Sequence, residues 1–214
     1  MVGERWTFYA DRFAKLTQEG ADLEGEARFV DVMAGRGSNV LDAGCGTGRV
    51  AAALQRMGHR SVGVDKDAGL VDIAVGRYPG VPYLSHDLLT LNAQVLEATG
   101  APHEFDIVVL AGNVMVYLAP GTERGVLGNL SGLLRPGGRI VAGFATGRDY
   151  GASDLDTDAA ALGLTLEYRF GTWQLDPFRP NSDWMVVVLR SGTAPGTQDG
   201  ATWAPASNWP GRPE

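Results

Sequence analysis

The chain has 214 residues, 44% of them hydrophobic and 20% charged, with one cysteine and a net charge of −7. That balance fits a globular fold and excludes a disordered chain, and one cysteine excludes an intramolecular disulfide framework. The acidic balance lacks the basic surface that sequence-independent nucleic-acid binding needs, and no apolar run approaches the ~20 residues of a membrane span.

Residues 5–34 read as helical in two pieces. Trp6, Tyr9, Phe13 and Leu16 recur at helical spacing, as do Ala27, Val30 and Met33, with Gly20 and Gly25 as breaks between them. No charged-then-apolar leader opens the chain, so a soluble cytoplasmic protein is expected. From Val40 an alternation begins. Val40-Leu41 forms a first strand, and a glycine loop spans Gly44–Gly48. A helix covers Arg49–Met57 and stops at Gly58. Ser61–Asp65 reads as a strand, Ala68–Val75 as a helix ended by Gly76, and Val81–Ser85 as a third strand. Phe105–Ala111 is apolar on both faces, as a central parallel strand should be. A helix over Val126–Leu134 ends at the turn Arg135-Pro-Gly-Gly138, before a fifth strand, Arg139–Phe144. A helix at Leu155–Leu162 precedes strands at Thr165–Trp173 and Trp184–Arg190.

Strands alternating with helices imply a parallel sheet covered on both faces. The last two strands are too close for a helical crossover and should pair antiparallel, at the edge of the sheet. The expected fold is α/β, a Rossmann-like three-layer sandwich with a seven-stranded, mostly parallel sheet and an antiparallel last strand. The expected domains are an N-terminal helical cap at 1–36, a core at 37–190 and a Pro/Gly/Ala-rich tail at 191–214.

The chemistry concentrates in Val40-Leu-Asp-Ala-Gly-Cys-Gly-Thr-Gly-Arg-Val50. Glycines at 44, 46 and 48 permit a tight turn and a close ligand approach, in front of a helix N-terminus that favours negative charge. The third glycine comes one residue early for the dinucleotide fingerprint G-x-G-x-x-G, and no Walker loop exists. Asp65 ends the second strand 21 residues after Gly44. An acid there can accept hydrogen bonds from ribose hydroxyls, or else serve as a helix cap or a solvated acid.

These residues resemble the class I S-adenosylmethionine-dependent methyltransferases of small-molecule type. The resemblance rests on Asp42–Arg49, Asp65, Ser85-His-Asp-Leu88, Phe105–Ala111 and Leu134-Arg-Pro-Gly-Gly-Arg139, and spans about residues 25–190. The general look, with Gly25–Phe29 and Thr172–Phe178, is similar to actinobacterial members of unassigned substrate. The resemblance implies S-adenosylmethionine as cofactor and S-adenosylhomocysteine as product. Gly44, Cys45 and Gly46 would line the methionine part, and Asp65, with Lys66 beside it, would hold the ribose. Asp87 would accept from the adenine amino group, and the Leu88 N–H would meet a ring nitrogen. Ala111 and Gly112 would contact the ammonium group. Asp42 would orient the loop or, through water, the ammonium group. Arg28 is a candidate for the methionine carboxylate, or an exposed helix arginine.

Candidates for the acceptor side are Asn113 and Tyr117 after the fourth strand, and Tyr9, with Phe13, on the N-terminal helix. Asp149, Tyr150 and Trp173 are weaker ones. His86 reads as pointing away from Asp87, His59 and His103 as solvated turn residues, and Cys45 as a small loop residue. No cluster has metal-ligand spacing, so no metal is expected. The segment after the fourth strand lacks the Asn/Asp-Pro-Pro-aromatic string of amino-methylating DNA enzymes, and no large lid follows the fifth strand. The lid must then come from residues 5–34, the hairpin at 174–183 or the tail. The expected partner is a small-molecule substrate, with neither nucleic acid nor membrane, and a homodimer is left open. Two other readings stay open: a nicotinamide-dependent oxidoreductase with a degenerate loop, and a non-catalytic scaffold that kept the cofactor pocket.

Overall fold

The structure is a computed structural model and describes residues 22–192. Tyr9, Phe13 and the rest of residues 1–21 lie outside the described residues, as do 193–214. The elements run α1 (Gly25–Met33), β1 (Asn39–Ala43), α2 (Arg49–Arg56), β2 (Arg60–Asp65), α3 (Ala68–Arg77), β3 (Tyr83–Ser85) and α4 (Ala93–Glu97). Then come β4 (Phe105–Leu110), a 3₁₀ turn (Val114–Tyr117), α5 (Glu123–Ser131), β5 (Leu134–Ala145), α6 (Ala152–Ala161), β6 (Thr165–Phe170) and β7 (Trp184–Arg190).

The seven strands form one sheet in the order β3-β2-β1-β4-β5-β7-β6. All pairings are parallel except those of β7, which runs antiparallel to both β5 and β6. The antiparallel strand therefore sits one place in from the edge, and β6 takes the edge. Side chains explain the order. Met185–Leu189 of β7 are fully buried, whereas every residue of β6 is exposed or half-buried. An edge strand tolerates that half-polar pattern and an interior strand does not.

The core has two layers because the central strands are apolar on both faces. Leu41, Val108, Leu110, Ile140 and Leu189 pack with Leu127 and Leu130 of α5 and Leu155 of α6. Val40, Ile107, Val109, Val141 and Val188 pack with Ala27 and Val30 of α1 and Leu54 of α2. Each fully buried Leu, Val or Ile contributes ~1.5–3 kcal/mol.

Local signals set most boundaries. Gly58 at φ 94 ends α2. Asp67 caps α3, accepting the Leu70 N–H at 3.1 Å, and Asn92 caps α4, accepting the Val95 N–H at 3.1 Å. Three expectations shift. Gly76 lies inside α3, which continues to Arg77. The helix expected over Val126–Leu134 occupies Glu123–Ser131, because Leu134 pairs with Phe105 and starts β5. Gly25, expected as a break, is the first residue of α1.

His59 is the clearest correction. It is buried, not solvated, and its Nε2 lies 2.9 Å from Asp31 Oδ1 of α1. Asp31 is held below the usual carboxylate range, first by its hydrogen bond with His59; burial opposes this, and Arg36 adds to the lowering. With Glu26–Arg49 and Glu24–Arg56, this contact clamps α1 onto α2. His59→Ala should lower the melting temperature by roughly 4–8 °C, or ~2 kcal/mol of lost packing and hydrogen bonding. A thermal melt checks this against Val32→Ala, an exposed control on α1. A His59→Ala melt that overlays the wild type would remove the clamp from the account.

Candidate functional site

In an open parallel sheet, ligands bind at the carboxyl ends of the strands. Four of those ends gather the residues singled out above. The loop after β1 turns at Gly44, Gly46 and Gly48, with φ of 79, 53 and 81. This is the left-handed region that side chains disfavour and glycine enters freely. The Gly44 and Cys45 N–H groups both donate to Val64 O, at 2.7 and 3.0 Å, tying the loop to β2. A Cβ on Gly44 would stand 2.6 Å from Val114 Cγ2, so the loop is also pressed against the turn after β4.

Asp65 closes β2 beside that loop. Its Oδ2 accepts the Gly46 N–H and its Oδ1 the Asp67 N–H, each at 2.9 Å. Each carboxylate oxygen keeps a lone pair for another donor. Asp65 is therefore not the helix cap, since Asp67 fills that position. Lys66 is exposed next to it. Beyond β3, Asp87 is exposed and forms a local turn by accepting the Leu89 N–H at 2.9 Å. Leu88 is buried, and its N–H donates no hydrogen bond among the described residues. The Ala111 carbonyl and the Gly112 N–H after β4 likewise have no partner among them.

Asp42 lies beneath the loop. It is fully buried, and its Oδ2 accepts the Ala51 N–H of α2 at 3.0 Å. Burial pushes its carboxyl up to about 7; the Ala51 N–H and Arg49 oppose this, and the charges of Asp65 and Glu26 add to it. The Ala51 bond ties the end of β1 to the first turn of α2, on the far side of the loop. Burial, with the nearby Asp42 and Asp65 charges, pushes the Cys45 thiol far above the range where a thiolate forms. Cys45 is thus a packing residue.

Tyr83 is a site residue that sequence reasoning missed. It pairs with Gly63 across β2 and β3. Its hydroxyl donates to Gly48 O at 2.9 Å. A Cβ on Gly63 would lie 2.7 Å from Tyr83 Cε1 and 2.9 Å from Cys45 Sγ. The available signal was Gly63 itself, since an isolated glycine in an apolar strand marks a close approach.

Other candidates separate. Arg28 is exposed and paired with Asp22, its Nη1 donating to Oδ1 at 2.9 Å. Asn113 has φ 72, and its Oδ1 accepts the Ala145 N–H at 2.8 Å. That bond identifies the remaining amide nitrogen as a donor, and it makes no hydrogen bond among the described residues. Tyr117 is 64% exposed in the 3₁₀ turn. Tyr150 is buried and donates to Asp158 at 3.1 Å. With Asp149 it lines a separate cleft of about 360 Å³ between the starts of α5 and α6. His86 bonds the Thr90 hydroxyl at 3.2 Å, and His103 is exposed beside Glu97. Among the described residues, no His/Cys/Asp/Glu group could hold a metal ion, and no helix is long and apolar enough to cross a membrane.

Comparison with known proteins agrees with this geometry. A family model described as a methyltransferase domain matches residues 40–138. The fold superposes on the crystal structure of a TehB-like SAM-dependent methyltransferase from Corynebacterium glutamicum with a TM-score of 0.80 and 37% identity, covering 87% of this chain and 98% of that one. The chain is 28% identical over 172 residues to a malonyl-[acyl-carrier protein] O-methyltransferase of Pectobacterium atrosepticum, covering 80% of this chain and 59% of that protein. It is 38% identical over 88 residues to the magnesium-protoporphyrin O-methyltransferase of Rhodobacter capsulatus, covering 41% of this chain and 38% of that protein. The chain thus spans less than two thirds of the length of these two curated relatives.

Proposed function

This chain belongs to the S-adenosylmethionine-dependent methyltransferase family, and we propose on that premise that it moves a methyl group from S-adenosylmethionine to a nucleophile of a small molecule, leaving S-adenosylhomocysteine. The observation that carries the reading is a row of open polar groups along the sheet end. Asp65 offers lone pairs, and Leu88 an N–H and Ala111 a carbonyl without a partner among the described residues, each of the polarity that ribose hydroxyls, an adenine nitrogen and an ammonium group require. The cofactor supplies an electrophilic methyl on a sulfonium that leaves as a neutral thioether.

The protein's part is to hold and orient. Gly44, Cys45 and Gly46 line the methionine portion, and Asp65 with Lys66 takes the ribose. Asp87 and Leu88 take the adenine, and Ala111 and Gly112 the ammonium group. Arg28 receives the methionine carboxylate by exchanging its Asp22 partner. Asn113 and Tyr117, and Tyr9 outside the described residues, face the acceptor. Orientation of this kind reaches effective molarities of ~10⁵–10⁸ M without a compulsory general base. The names of the two curated relatives favour an oxygen nucleophile. Residues 1–36 serve as a cap, 37–190 as the catalytic core and 191–214 as a tail. The enzyme works in the cytoplasm without nucleic acid, and a homodimer is compatible with this reading.

Calorimetry tests the reading. S-adenosylmethionine and S-adenosylhomocysteine should bind and NAD should not. Asp65→Ala should weaken S-adenosylhomocysteine about 10- to 100-fold, the worth of hydrogen bonds to a charged group. NAD binding in place of the homocysteine compound would favour an oxidoreductase. Tight cofactor binding without labelled product in any cell extract would favour a scaffold.

A further inference from the structure

Near the carboxyl end of β5, the sheet face that carries α1 has a residue with no side chain, Gly143. A methyl group built on Gly143 would stand 2.8 Å from Trp173 Cε2 and 3.1 Å from its Cη2. The benzo ring of Trp173 therefore rests on the backbone of β5. Phe29 of α1 and the indole form a T-shaped pair, with centroids 5.5 Å apart at 80°.

Trp173 comes from the hairpin between β6 and β7, residues 171–183. That hairpin is braced internally: Thr172 Oγ1 donates to Asp176 Oδ2 and the Gly171 N–H to Asp176 O, both at 2.7 Å. It is also tied to the exit of β5, where the Thr146 N–H donates to Asp183 O at 3.1 Å. Leu175 in this hairpin has φ 69 and is 54% exposed. Backbone strain in a non-glycine residue concentrates at ligand clamps and switch segments.

The strand order places this ring relative to the cofactor. Asp87 follows β3, Asp65 ends β2, the glycine loop follows β1 and Ala111 follows β4. A cofactor with its adenine at Asp87 and its ribose at Asp65 has its methionine end over β1 and β4, and the next strand along is β5. Ala111 and Trp173 pack into the same apolar cluster.

We propose that Trp173 is the wall of the acceptor site facing the sulfonium methyl, and that the β6–β7 hairpin serves as the lid that the short β5–α6 connection does not provide. This rests on the methyltransferase reading above. An indole beside a sulfonium attracts its positive charge and has no such charge to attract in the product thioether. Trp173 thus favours S-adenosylmethionine over S-adenosylhomocysteine.

Calorimetry with both ligands on the wild type, Trp173→Leu and Trp173→Phe tests this. Trp173→Leu should weaken S-adenosylmethionine about 3- to 30-fold and S-adenosylhomocysteine less than about 2-fold, with Trp173→Phe retaining most of the preference. Equal weakening of both ligands, or of neither, overturns the assignment and leaves the cofactor reading intact. A wild type that binds neither ligand sinks the cofactor reading and this proposal with it. If Trp173→Leu does not fold, wild-type protein carrying 5-fluorotryptophan gives the answer, with the Trp173 resonance assigned through Trp173→Phe. That resonance should shift differently with the two ligands, and an identical shift or none overturns the proposal.

Discussion

Gly48→Ala is expected to destabilise the protein by ~3 kcal/mol, lowering the melting temperature by roughly 6–12 °C, and to weaken S-adenosylhomocysteine binding at least about tenfold. Two independent costs act at this position. Gly48 has φ 81, where a Cβ costs ~1–2 kcal/mol. That Cβ would also stand 2.6 Å from Tyr83 Cζ, so the ring must move and its 2.9 Å bond to Gly48 O is lost, at ~1 kcal/mol. Cofactor affinity falls because Gly48 joins the loop to α2, and any shift there passes back to Gly46 and Asp65. The two costs can be separated. Tyr83→Ala removes the obstruction and leaves the dihedral penalty. The double variant should therefore be more stable than the sum of the single effects predicts, a coupling of ~1 kcal/mol. Strict additivity in chemical denaturation would show that the ring does not press on the loop. A Gly48→Ala melt within about 1 °C of the wild type would show that the loop is not held in the left-handed region.

The glycine loop was readable from sequence because its requirement is local. Three glycines between an apolar strand and a helix can do little else, and all three have positive φ. Asp65 was readable for the same reason, by its place at the end of a short apolar run. His59 was not. Its burial depends on α1 crossing over it and on Asp31, 28 residues earlier in the chain, and no local pattern reports that contact. Tyr83 was hidden because the tyrosine and the two glycines it covers belong to different strands and loops. The placement of β7 inside β6 was missed because antiparallel pairing fixes relative direction and not which partner takes the edge. That choice is made by the fully buried valines of β7 against the half-exposed residues of β6. Trp173 was legible only as one of the weaker acceptor-side candidates, without its partner. Its contact with Gly143 joins residues 30 apart in the chain, with α6 and β6 between them.

The stability of the cofactor-free protein is expected to fall as pH rises from about 4 to about 7, with Asp42 as a main cause. Burial holds the Asp42 carboxyl at about 7 in the folded chain, against ~3.9 when unfolded. Between those values the folded chain keeps a proton that the unfolded chain has lost. Stability then decreases with pH wherever the folded state binds more protons. The contribution is flat below about pH 4, lost progressively through the window and level again above about 7, amounting to at most ~4 kcal/mol. Asp42→Asn keeps an oxygen that can accept the Ala51 N–H and removes the titration. Its extra amide donors add a fixed cost that does not depend on pH, so the informative quantity is the slope. Denaturant unfolding at pH 5 and pH 8 should show the wild type losing ~2–3 kcal/mol more than Asp42→Asn. Parallel curves for the two proteins would mean that Asp42 is ionised throughout, and that the Ala51 N–H and the Arg49 guanidinium together outweigh its burial.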